Sequence, residues 1–120
     1  RDGDAKLFAP FFDWGMPTVD CLRTVCHACP GQLVIASGGV RHGLDAAKAI
    51  RLGAVMVSAA GPMLAHLVAD DGDLDTPKLE DFVTGWKQQM SLVLFLTGAP
   101  NLAAFCGVDM RYDGDVIPPC

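Results

Sequence analysis

Residues 33–64, LVIASGGVRHGLDAAKAIRLGAVMVSAAGPML, restrict the fold more than any other stretch of the chain. Leu33, Val34, Ile35 and Ala36 form a short, wholly apolar run. That is the pattern of a strand covered on both faces in a parallel sheet. Ser37, Gly38 and Gly39 interrupt it. Leu44, Ala47, Ile50 and Leu52 then recur near helical spacing, with polar Asp45, Lys48 and Arg51 between them. Gly53 stands where a left-handed helix cap is expected. Ala54, Val55, Met56 and Val57 repeat the strand pattern, and residues 58–61 repeat the small-residue turn. Strand, helix and strand in this order predict a βαβ unit with parallel strands and a right-handed crossover.

The two turns carry the chemical signal. Each follows the carboxyl end of a predicted parallel strand and precedes a predicted helix. Glycine there lets backbone N–H groups turn outward and lets a bulky anion come close. A helix start adds its positive dipole end. Arg41 adds a permanent cation whose fork matches phosphate oxygens. Together these predict a phosphate site shared by two successive loops. The plainer alternative is a tight turn at Gly38 and Gly39 beside a solvated Arg41.

Composition narrows the class. A chain of 120 residues suits one domain. A net charge of -5 argues against nucleic acid as partner, and the scattered Lys and Arg make no polybasic membrane patch. No apolar run approaches the roughly 18 residues of a membrane span. The acidic start, RDGDAKLFAPFFDWG, does not read as a signal peptide. Five cysteines, Cys21, Cys26, Cys29, Cys106 and Cys120, are an odd count and do not suggest a secreted disulfide framework. The expectation is a cytoplasmic chain with reduced thiols.

The remaining segments are simpler. Residues 1–15 read as irregular, with Phe8, Phe11, Phe12 and Trp14 forming an aromatic cluster that needs a surface to bury against. Residues 16–29 read as a helix opened by Pro17, with Val19, Leu22, Val25, Cys26 and Cys29 on one face. Cys26 and Cys29 form a C-x-x-C, but no second ligand pair accompanies them, so small core hydrophobes is the simpler reading. Residues 62–69 predict a short helix in which His66 is a boundary residue. Asp70, Asp71, Gly72 and Asp73 predict a solvated acidic loop. Thr76 as N-cap and Pro77 open the longest helix, to about residue 97. Its stripe of Leu79, Phe82, Val83, Trp86, Met90, Val93 and Leu94 reads as core. Asn101 caps a brief helix over 102–106, and residues 108–120 read as a mobile tail.

Three segments, in order, resemble the type 2, FMN-dependent isopentenyl-diphosphate isomerases. The family pattern F-x-D/E-W-G-I-P-T-x-x-S-L stands here as FFDWGMPTVDCL, residues 11–22. The pattern A-S-G-G-I-R-x-G-L-D-x-A-K-A-I-x-L-G-A stands as ASGGVRHGLDAAKAIRLGA, residues 36–54. LVLFLTGAPNLAAF, residues 92–105, matches a later family segment. The middle motif is shared loosely with hydroxyacid oxidases and IMP dehydrogenases. The W-G-x-P-T helix is what points to the isomerase.

The resemblance implies an α/β chain that is the C-terminal part of a (β/α)8 TIM barrel: about two parallel strands plus flanking helices, incomplete without the upstream strands, with a barrel-facing surface left uncovered until upstream residues or a companion chain supply the remainder of the barrel. It implies FMN with its phosphate on the last two loops, as is common in such barrels. Carried over by position, Gly38, Gly39, Val40 and Arg41 would form one clamp and Ala59, Ala60 and Gly61 the other. Ser58 stands where the family often has glycine. The resemblance further implies interconversion of isopentenyl and dimethylallyl diphosphate, reduced FMN as acid and base, Mg2+ and NADPH, and a homo-oligomer. The Mg2+ and diphosphate ligands of the family lie upstream of residue 1. No catalytic or metal residue is therefore assigned here, and this part alone is not expected to be active. Two alternatives stay open: an FMN-dependent hydroxyacid oxidase-like oxidoreductase, and a non-catalytic structural fragment. The oxidase group places a catalytic histidine and arginine on or just before strand seven. Here only His27 precedes Leu33, inside a predicted helix.

Overall fold

The computed structural model describes residues 6–11, 13–69 and 71–118. After a 3-10 turn at Ala9–Phe11, the order is α1 (Thr18–Ala28), β1 (Ile35–Ser37), α2 (Gly43–Arg51), β2 (Met56–Ser58), α3 (Ala60–Leu67), α4 (Thr76–Thr97), α5 (Leu102–Phe105), β3 (Met110–Tyr112) and β4 (Asp115–Ile117). The class is α/β.

The βαβ unit is present. β1 and β2 pair in parallel, with Ile35 opposite Met56, Ala36 opposite Val57 and Ser37 opposite Ser58. Val55 N–H donates to Val34 O at 2.9 Å and extends the ladder backwards. The strands do not meet the expectation of burial on both faces. Ala36 is buried, whereas Ile35 and Met56 are each more than half exposed. One face is covered by Leu22 of α1 and by Ala49 and Leu52 of α2. Nothing among the described residues covers the other.

Of the apolar positions expected on α2, Ala47 and Leu52 are buried and Ile50 is half-buried, while Leu44 is exposed; Gly43, Ala46, Ala49 and Arg51 are buried as well. Small side chains let α2 approach both the sheet and α4 closely. Gly43 is the tightest point. A Cβ there would collide with the Trp86 carbonyl oxygen and lie 2.8 Å from Gln89 Cβ. Gly53 takes φ 104° just past the helix, as its position suggests.

α4 runs its full predicted length, but its N-cap is Asp75, whose carboxylate accepts the Lys78 N–H at 2.9 Å. Thr76 is already helical. Gly98, at φ 70°, ends it. Only Trp86 of the apolar stripe is buried. Phe95 and Leu96 on another face are largely exposed. Asn101 caps α5 through the Ala104 N–H at 2.9 Å.

Within the mobile tail expected over 108–120, residues 110–117 instead form regular structure, and residues 119 and 120 lie outside the described residues. β3 and β4 form an antiparallel hairpin, with Met110 opposite Ile117. Asp113 and Gly114 make its turn at φ 51° and 86°. Asp-Gly is the residue pair such two-residue turns favour. Ile117 is buried against Leu22 and Leu52. The Arg51 guanidinium, 2% exposed, donates to Val108 O, and to Ile117 O at 2.9 Å. Burial and hydrogen bonding hold the segment down.

The aromatic cluster finds no cover within the described residues. Phe11 and Trp14 meet edge to face at 6.4 Å, yet Phe8, Phe11 and Trp14 stay exposed. Phe12 of that cluster, Asp70 of the acidic loop, and Cys120 lie outside the described residues.

Candidate anion site at two strand ends

The first loop leaves β1 at Ser37. Gly38 and Gly39 follow at φ 88° and 70°, left-handed backbone that favours glycine. Thr18, the first residue of α1, donates its hydroxyl to Gly38 O at 2.9 Å. The helix before the strand therefore holds the turn after it. Val40 is buried, so it can offer a ligand only its backbone. Arg41 is exposed. Its N–H donates to Asp45 Oδ2 at 3.1 Å. Its guanidinium meets no carboxylate among the described residues.

The start of α2, next in the chain, is largely closed. Gly43 N–H donates to Gln89 Oε1 at 2.6 Å, and Asp45 N–H to His42 Nδ1 at 3.3 Å. The Asp45 carboxylate also sits there. Two of the first N–H groups of this helix are therefore already taken by side chains of the chain itself.

The second loop leaves β2 at Ser58. α3 begins two residues earlier than expected, so Ala60 and Gly61 are its first helical positions. Its N-cap, Ala59, has no side chain to cap it. Pro62 has no N–H. Ala60 and Gly61 are exposed, and a Cβ on Gly61 would touch nothing within 4 Å. The open helix N-terminus is the one after the second loop.

The two loops are neighbours. Ser37 and Ser58 are register partners in a parallel pair, whose strands run about 4.8 Å apart. Residues 38–41 and 59–61 thus leave the same end of one sheet. Beneath them, Val40 and Ala59 pack into one cluster with Trp86. Thr18, Asp45, Trp86 and Gln89 also touch these loops; Thr18 and Asp45 stand within the two matched family patterns, whereas Trp86 and Gln89 lie outside them. Thr18 could have been found from its place at a helix start beside Pro17. Asp45 bonds locally to Arg41 and His42, and Trp86 and Gln89 are brought in by α2–α4 packing.

Elsewhere there is less chemistry. A cavity of about 770 Å³ lies near the start of the strands, between the second half of α1 and residues 117–118. Another, of about 260 Å³, runs between α1 and residues 34–37. Cys26 is half-buried and Cys29 exposed. Among the described residues no group of three His, Cys, Asp or Glu could hold a metal ion, and no helix is long and apolar enough to cross a membrane. His27 is exposed in the last turn of α1.

A family model described as FMN-dependent dehydrogenase matches residues 11–108, which include both loops. Several curated proteins named isopentenyl-diphosphate delta-isomerase are similar. That of Pseudescherichia vulneris is 38% identical over 105 residues, covering 88% of this chain and 29% of that protein. That of Xanthobacter autotrophicus is 44% identical over 95 residues, 78% of this chain and 26% of that protein. That of a Synechococcus strain is 40% identical over 115 residues, 96% of this chain and 30% of that protein. The chain spans less than a third of the length of these relatives.

Proposed function

We propose, from the premise that this chain belongs to the FMN-dependent dehydrogenase family, that residues 38–41 and 59–61 hold the phosphate of FMN. The complete protein is then an isopentenyl-diphosphate isomerase. The observation that carries the reading is the Ser37–Ser58 register, which sets both loops at one sheet end.

The donor set suits a phosphate dianion. Ala60 and Gly61 offer N–H groups at an uncapped helix start, where an anion gains about 0.3–1 kcal/mol from the dipole alone. Gly38 and Gly39 turn the first loop so that a ligand can approach its backbone. Arg41 adds charged hydrogen bonds worth about 1.5–3 kcal/mol each. The small residues exclude side chains from the volume the phosphate needs.

The rest of the account follows the relatives. The uncovered face of β1 and β2, and the cavity beside β1, suit further strands of a (β/α)8 barrel. Reduced flavin, when bound, supplies the acid–base chemistry of double-bond migration. NADPH would keep it reduced, and Mg2+ would hold the substrate diphosphate through residues outside this chain. Within this chain, the two loops bind and orient the cofactor.

The family description also covers oxidoreductases, so a hydroxyacid oxidase-like reaction is the second reading. The named relatives favour the isomerase. The complete flavoprotein with isopentenyl diphosphate in deuterated water decides. Deuterium entering the allylic product without net oxidation is the expected result. Net flavin reduction by a 2-hydroxy acid, with no exchange, would replace this reading with the second.

A further inference from the structure

We propose that Trp86 is a positioning residue for the phosphate site: from α4 it sets the spacing between the two loops. The inference rests on the phosphate reading above. Trp86 is 8% exposed and packs with Val40, at 5%, and Ala46, fully buried. Val40 belongs to the first loop. Ala59, the N-cap of α3 in the second loop, joins the same cluster. One indole therefore belongs to a cluster that underlies both clamps.

Two further contacts fix that cluster to the helices behind the loops. Phe82 meets Trp86 edge to face at 5.6 Å and stacks on His66 at 3.7 Å, with the rings 12° from parallel. His66 Nδ1 lies 2.8 Å from Pro62 O, in the first turn of α3, so its Nδ1–H donates there. The second loop is thus linked to the indole through α3. On the other side, the Trp86 carbonyl abuts Gly43 so closely that no Cβ fits, and Gln89 one turn on takes the Gly43 N–H at 2.6 Å. The first loop runs directly into Gly43. Shrinking the indole removes the common support, and each loop can then settle separately.

Trp86 Nε1–H is buried without a hydrogen-bond partner among the described residues. The support is therefore a matter of ring volume, and phenylalanine should retain part of it. Leucine should retain little.

The test uses the complete flavoprotein as apoprotein and compares its affinity for FMN with its affinity for riboflavin, which lacks the phosphate. Loosened packing through a network changes coupling between sites by about two- to thirtyfold. Trp86→Leu is expected to lower the preference for FMN about tenfold and Trp86→Phe about threefold, with riboflavin affinity held. A merely structural role would weaken both flavins alike, and that result overturns the inference. So does an unchanged preference in Trp86→Leu. If Trp86→Leu does not fold by circular dichroism, Trp86→Phe decides: a threefold loss of preference supports the inference, and none overturns it. A wild-type protein with no preference for FMN removes the phosphate reading itself and this inference with it. A wild-type preference that the variants leave intact removes this inference alone.

Discussion

Replacing Arg51 by methionine should undock the β3–β4 hairpin. Arg51 is 2% exposed, and among the described residues no carboxylate pairs with it. Its charge is met by backbone carbonyls of residues that follow α5: Val108, and Ile117 at 2.9 Å. The contact to Pro118 O, at 3.4 Å, is too long to count for much. Two charged hydrogen bonds at about 1.5–3 kcal/mol each give a gross loss of about 3–6 kcal/mol. Methionine recovers some of this, because burying a cation is itself costly and the new side chain is apolar. It also leaves the Ile117 carbonyl oxygen buried without its donor. The net expectation is a loss of about 2–4 kcal/mol. Urea unfolding of the complete protein measures the sum. Hydrogen exchange at residues 110–117 measures where it falls, and protection there should drop first. A variant as stable as the parent, with the hairpin equally protected, would show that relief of the buried charge outweighs the bonds. The account of why this segment is ordered would then be wrong.

Three further outcomes follow from the loops. Arg41→Ala should weaken FMN binding by about 1–3 kcal/mol and leave riboflavin binding nearly unchanged, measured by flavin fluorescence titration; equal losses would take Arg41 out of the site. Thr18→Val keeps the shape but loses the hydroxyl bond to Gly38 O, so thermal unfolding should show a loss of about 0.5–1.5 kcal/mol. Gly38→Ala puts a Cβ on backbone at φ 88° and should cost about 1–2 kcal/mol in the same assay, whereas a neutral result would mean the turn is not held as described.

The βαβ unit was legible because its signals are local: two apolar runs, two small-residue turns and Gly53 in the cap position. The exposed side of the strands has a physical reason. An apolar run records what a strand is built to touch, and Ile35 and Met56 have no cover among the described residues. The stripe on α4 does face the core: Trp86 is buried, and Phe82, Met90, Val93 and Leu94 pack half-buried against the clusters beneath it. The hairpin was missed despite Asp113-Gly114, because the surrounding Asp, Gly and Pro read as tail. What anchors it is Arg51, a cation that sequence pattern assigns to a solvated face. The closed start of α2 was equally hidden. It depends on Gln89, 46 residues further along the chain.

A structure of the complete flavoprotein with FMN bound tests the phosphate site most directly. The account predicts phosphate oxygens within hydrogen-bond distance of N–H groups from both residues 38–41 and residues 60–61, with the Arg41 guanidinium on the same group. A phosphate held by one loop alone, or seated away from the Ser37–Ser58 end of the sheet, would contradict it.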